Sequence, residues 1–252
     1  MEEWAKLLDA VAAILSAIAW PLSFLTIALL FKEVLQTAIS RIPSMLDRVK
    51  TASVAGIKLE LDRVVAEEKE DKSGKVTPVQ KESAARIAVE KQDLGSQPLL
   101  AELKRLCSEF DTLRNTLPSG DVRTRAMTRI VVQMRSLAPS LIEFLDTYKE
   151  SNSAGRRLAA IAMMQMVPAC ADVDWLESRF TSDPPFLFYH AALALQNAMD
   201  DPYSNESRQS IIEAARRALE KVKSFNGVPD ASTIEVLEAL IDSSPQILSK
   251  HQ

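Results

Sequence analysis

DVRTRAMTRIVVQMRSL, residues 121–137, decides what kind of fold this chain builds. Met127, Ile130, Val131 and Met134 recur three and four residues apart. That is the spacing of one face of an α-helix and not of a strand. Leu117-Pro-Ser-Gly120 interrupts the chain before this stretch, and Ala138-Pro139 interrupts it after. Working outward, the same helical spacing returns over residues 98–116, 139–150, 153–167, 172–181, 184–200, 205–225 and 230–242. The breaks carry Ser151-Asn-Ser153, Asp183-Pro-Pro185, Asp200-Asp-Pro202 and Asn226-Gly227, which are good stop and start signals. Asp121, Ser153, Asp183 and Ser204 are the expected N-caps. Short breaks between amphipathic helices predict antiparallel neighbours, so the fold class is all-α, a stack of helical hairpins in the style of HEAT repeats. No repeat of fixed period accompanies it. This domain is expected over residues 99–252.

Upstream the chain changes character. Residues 67–77, EEKEDKSGKVT, have almost no apolar content, and Gly74 and Pro78 break any helix. Residues 67–98 therefore read as a solvated linker, with a helix over about Val79–Gln92 inside it. Within 32–66, Val34, Leu35, Ala38, Ile39 and Ile42 keep a helical spacing along an amphipathic, juxtamembrane segment, which Pro43 interrupts. Further on, Ile57, Leu59 and Leu61 alternate with Lys58, Glu60 and Asp62, the signal of a short strand after Gly56. A helix through Val64 and Val65 is the alternative reading.

Residues 10–31, AVAAILSAIAWPLSFLTIALLF, run for 22 residues without a charge. At about 1.5 Å per residue this spans a hydrocarbon core of about 30 Å. A signal peptide would have a basic start, a shorter apolar run and small residues at its end; this one begins Met-Glu-Glu-Trp and ends Leu29-Leu-Phe-Lys32. Lys32, Arg41, Arg48 and Lys50 follow the run, against Lys6 before it. The excess predicts one transmembrane helix with residues 1–9 outside and the helical domain in the cytoplasm, at the inner membrane of a bacterium. Trp20-Pro21 predicts a kink near mid-span.

A net charge of −4 excludes a general nucleic-acid binder. Two cysteines, Cys107 and Cys170, make neither a disulfide framework nor a metal spacing. No enzyme signature is present and no cofactor or metal is expected. Lys72-Ser-Gly-Lys75 lacks the upstream glycine and strand of a phosphate loop. His190, within PFLFYHAAL, reads as a structural histidine, and Met163, Met164 and Met166 read as core, with a partner-binding surface as the alternative.

Ser119–Ala138, Gly155–Gln165, Val173-Asp-Trp-Leu176 and Pro185–Leu195 together resemble a helical, HEAT-like module found beside effector domains in bacterial antiphage and conflict systems. The front of the chain, a single span containing Trp20-Pro21 followed by a basic amphipathic segment and Ala55-Gly-Ile-Lys-Leu-Glu-Leu61, is similar to a common bacterial membrane-effector design. The resemblance covers roughly 150 residues, mostly packing positions. It implies a defence role and supplies no catalytic residue.

Two sets of residues are candidates for function. Asp9, Ser16 and Ser23 are seven apart, and Ala12, Ser16, Ala19 and Ser23 place small residues on the same side of the span. Small residues let helices approach closely in lipid, which predicts homo-oligomeric spans and a polar pore face; a monomeric anchor is the alternative. On the helix at 121–137, Arg123, Arg125 and Arg129 are the candidate site for an anionic ligand such as a nucleotide or oligonucleotide signal. The competing reading is salt bridging to Glu102, Glu109 or Glu143. The expected function is thus a membrane-anchored oligomeric effector that gates or disrupts the membrane like an ion channel. The alternative is a membrane-tethered scaffold for a protein partner encoded nearby.

Overall fold

The computed structural model describes residues 55–68, 75–225 and 230–243, together with Trp4 and Pro21. Every regular element among them is helical. The chain divides into two compact units, Met1–Ala52 and Ser53–Gln252. Of the first, Trp4 and Pro21 are described, both helical and exposed. The expected span at 10–31, apart from Pro21, lies outside the described residues. No helix among the described residues is long and apolar enough to cross a membrane.

The first described helix of the second unit, α1, covers residues 55–67. This corrects the strand reading. Ile57, Leu61 and Val64 are buried to 2%, 1% and 0% exposure, while Leu59 is 70% exposed. Spacings of four and three put the first three on one helical stripe; alternation would have put Leu59 with them. Ion pairs from Arg63 to Glu60 and Glu67, three and four residues away, add local support.

Helix α2, Pro78–Leu94, is capped by Thr77, whose hydroxyl accepts from the Gln80 N–H, and carries Pro78 in its first turn. It ends at Gly95, whose φ of 73° is a conformation that glycine adopts at little cost. The expected helix inside the linker is therefore longer than the sequence spacing suggested. It is also packed into the unit, through Ala84 and Ile87.

Helix α3 (Ser96–Thr116) buries Leu99, Leu103, Leu106, Cys107 and Phe110 along one stripe. Helix α4 (Asp121–Leu137) has the expected bounds and stripe, with Met127, Ile130, Val131 and Met134 all buried. Its cap position is Gly120, φ 143°, and Asp121 is the first helical residue. The single helix expected at 139–150 is instead a 3-10 segment, Ala138–Phe144, followed by the short α5, Leu145–Lys149. Pro139 removes a backbone donor at the start. Leu141 then leaves helical geometry (φ −125°, ψ 17°), with its side chain fully buried.

Helix α6 (Ala154–Met166) starts at the expected cap, Ser153, whose hydroxyl accepts from the Arg156 N–H at 3.1 Å. A 3-10 turn, Pro168–Cys170, leads to α7 (Val173–Ser182), capped by Asp172. Helices α8 (Pro185–Asp200), α9 (Arg208–Ser224) and α10 (Ala231–Asp242) complete the unit. Ser207, not Ser204, caps α9. Asp183 does not cap α8; it lies just beyond the end of α7 and turns its carboxylate inward.

The hairpins stack in chain order. The α3–α4 pair packs on α6, α6 on α8, α8 on α7 and α10, and α9 on α7 and α10. Two interior features hold the stack. A Cβ placed on Gly155 would lie 2.2 Å from the Cys107 carbonyl oxygen, so α6 crosses α3 at a distance only glycine allows. Asp111 fixes that crossing, accepting from the Gly155 N–H at 2.8 Å and from the Ser153 hydroxyl at 2.5 Å. Further along, Asp183 is fully buried between Arg157 and Arg179, with Nη–Oδ distances of 2.5 and 3.0 Å. Arg179 also lies over the Trp175 ring at 4.3 Å. Met163 and Met164 are fully buried beside Ile161, so they belong to the core; Met166 is half-buried against it.

Candidate functional site

Four polar side chains lie inside this apolar stack, one on each of four helices. They are Gln80 on α2, Arg135 on α4, Gln165 on α6 and His190 on α8, none more than 2% exposed. Burying polar groups is costly unless they find partners, and these find one another. Arg135 Nε donates to Gln165 Oε1 at 2.7 Å, and its Nη1 donates to the Lys75 carbonyl at 3.2 Å and to Gln80 Oε1 at 3.4 Å. Its Nη2 lies 3.4 Å from His190 Nδ1. Gln165 Nε2 donates to the His190 carbonyl at 2.7 Å, and Asn197 Nδ2 to the Gln165 carbonyl at 3.0 Å. At the outer edge, the Gln80 amide and the Thr77 hydroxyl both donate to the Glu68 carboxylate. The network thus runs from the end of α1 to the centre of α8.

An arginine stays protonated, so it donates to His190 Nδ1, and the imidazole accepts with its proton on Nε2. Burial first, and the Arg135 charge second, push the His190 pKa well below its ordinary value. The ring sits edge-on to Phe186, centroids 4.7 Å apart. His190 is the structural histidine that the sequence suggested, tied to an arginine the sequence did not single out. Arg135 was one of four arginines on its helix. Its signal was positional: it falls one turn after Val131, on the edge of the stripe that Met127 begins.

The candidate anion site separates. Arg123 turns inward. Its Nη1 donates to the Leu117 carbonyl at 3.2 Å and to that of Arg114 at 3.5 Å, and its Nη2 to the Ser119 hydroxyl at 2.8 Å. It closes the end of α3, where backbone carbonyls lack helical partners. Arg125 and Arg129 are exposed, on the face opposite the apolar stripe. The acids expected to pair with them are engaged elsewhere: Glu102 and Glu109 with Arg105, and Glu143 with Lys91. The candidate span residues Asp9, Ala12, Ser16, Ala19 and Ser23 lie outside the described residues.

Two shallow clefts flank α1. One, about 370 Å³, is lined by Gly56, Ile57 and Glu60 of α1 and Arg86, Ile87 and Val89 of α2. The other, about 270 Å³, lies between Lys58, Leu61 and Asp62 on one side and Glu102, Arg105 and Gln133 on the other. Among the described residues, no group of three or more His, Cys, Asp or Glu side chains could hold a metal ion. Burial pushes the Cys107 thiol up to about 12, so it is held protonated and is no ready nucleophile. Compared with known proteins, the chain matches no family model, no curated protein and no solved structure.

Proposed function

We propose that this chain is a membrane-anchored, self-associating effector, in which the helical unit receives a signal and the bundled N-terminal spans gate or disrupt a bacterial inner membrane. The observation that carries this reading is the charge-free run from Ala10 to Phe31 with Lys32, Arg41, Arg48 and Lys50 after it. The helical unit adds support. His190 and Cys107 are both buried and neither is presented to a substrate. Recognition by surface and groove suits such a unit better than bond-making. Arg125 and Arg129, four apart and exposed, are the surface cations best placed for a phosphate-bearing signal. The resemblance to HEAT-like modules of antiphage systems supports a defence role for the assembly.

The test uses the full chain with a C-terminal reporter in a bacterial host. The reporter should fractionate with the inner membrane and remain inaccessible from the periplasm. Triggered or strong expression should admit an otherwise excluded dye, and Ser16→Leu with Ser23→Leu should abolish entry while leaving insertion intact. A protein recovered in the soluble fraction overturns the anchor. An inserted protein that stays monomeric in mild detergent and never admits dye is the tethered scaffold instead.

A further inference from the structure

We propose that α1 and α2 form a detachable clasp on the helical unit, latched by the hydrogen bond from Arg135 to Gln80 and released as one piece while α6 and α8 stay folded. The inference does not depend on the span crossing a membrane, because it concerns the helical unit alone.

Three observations carry it. First, α2 has little apolar attachment. The residues it buries are Gln80, Ser83, Ala84 and Ile87, two polar and one small, and Val89 is 63% exposed. Second, α2 is tied down by polar contacts at both ends. At its start, Gln80 accepts from Arg135 and donates to Glu68, which joins α2 to the end of α1 and both to the core. Near its end, Lys91 Nζ donates to the Ser140 carbonyl at 2.7 Å and to the Glu143 carboxylate at 3.1 Å. Third, a cleft separates Lys58 and Asp62 of α1 from Glu102 and Arg105 of α3 and Gln133 of α4, so water already reaches part of the seam, and only Ile57, Leu61 and Val64 of α1 are buried against it. Elements with few buried apolar contacts and polar ties open at lower free energy than the core, and do so cooperatively. Helix α6 is the opposite case, with Leu158, Ala160, Ile161, Ala162, Met163 and Met164 all fully buried.

Hydrogen exchange on the purified full chain, read by mass spectrometry, tests this. Amides of 55–67 and 78–94 should exchange together, about ten-fold or more faster than those of 154–166 and 185–200. Gln80→Leu, which removes the latch and keeps the bulk, should speed the first group by about another ten-fold while leaving the second within about two-fold. If all four segments exchange together in the wild type, the clasp does not exist. If Gln80→Leu speeds every helix equally, or none, the latch is misassigned and the proposal fails. Should Gln80→Leu not fold, Lys91→Met at the other end of α2 is read against the same outcomes. Val222→Ala on α9 serves as control and should speed α9 without touching α1 or α2.

Discussion

Helices α2 and α8 are almost the same length, 17 and 16 residues, and they are stable for opposite reasons. Helix α2 is locally well made. Thr77 caps it, Pro78 opens it, Gly95 closes it, and Ala, Glu, Lys and Gln fill its surface. It buries four residues. Helix α8 has no side-chain cap and its first turns carry aromatic residues of lower helix propensity, yet it buries ten residues, including Leu187, Phe188, Leu193 and Leu195. One helix is well made locally and buries little. The other is bounded by prolines but fixed mainly by its neighbours, where most helical stability in proteins arises.

The largest effects should fall on the α6–α8 side. Asp183→Ala leaves Arg157 and Arg179 facing one another without their shared carboxylate. Breaking a buried pair in this way costs about 3–5 kcal/mol, to be read as a loss of global stability in denaturant. A matched pair of truncations then sharpens the contrast. Leu195→Ala in α8 should cost roughly 2–5 kcal/mol of global stability. Ile87→Ala in α2 should lower global stability less and instead speed local exchange over 55–67 and 78–94. Equal global losses for the two would erase the distinction between the regions.

Gly155→Ala probes the crossing that anchors the tight side. The added methyl meets the Cys107 carbonyl, and backbone must move to admit it, a cost of about 1–3 kcal/mol in melting experiments. Gly56 offers the internal comparison, since nothing lies within 4 Å of a Cβ there and Gly56→Ala should be tolerated or mildly stabilising.

His190 sits where the two regions meet, and its effect depends on pH. Its folded pKa lies well below that of the unfolded chain because burial and Arg135 disfavour the imidazolium. The unfolded chain takes up this proton below about pH 6.5 and the folded protein does not. Stability from this group is therefore fully present above about pH 6.5. It declines as pH falls toward the folded pKa, by at most about 1.4 kcal/mol per pH unit. His190→Gln should flatten that part of the stability profile measured between about pH 7 and about pH 5. A wild-type profile already flat there would mean that the imidazole keeps its proton in the fold.

The smallest effect is expected at the exposed arginines. Arg125→Ala with Arg129→Ala should change folding stability by no more than about 0.5 kcal/mol, while a signal-dependent response, if these residues receive it, should be lost. Unfolding of the double variant would make them structural.

Much of this architecture is legible along the chain. The stripe from Met127 to Met134 gave α4 its bounds, because an amphipathic helix between Pro-containing breaks leaves little choice of start, face or end. Ser153 was readable as a cap for the same local reason. The misreadings have a common cause. Ile57, Leu59 and Leu61 fit a period of two as well as the first turn of a helix, and only burial of Val64 with Ile57 and Leu61 chooses between them. Asp183 and Ser204 looked like caps because short polar residues precede helices, yet Arg157, distant in sequence, draws Asp183 inward. Arg123, Arg125 and Arg129 share one helix and one charge, but the end of α3 takes the first and solvent the other two.

What the sequence determined by itself is whatever local periodicity and local breaks encode: the all-helical class, most helix bounds and the charge-free run at 10–31. What the tertiary structure decided is which polar groups meet. The hydrogen-bonded pairs among Gln80, Arg135, Gln165 and His190 lie 25 to 55 residues apart. No local pattern ties such positions together. They meet because hairpin stacking brings four helices around one point, and because polar side chains buried there must satisfy one another.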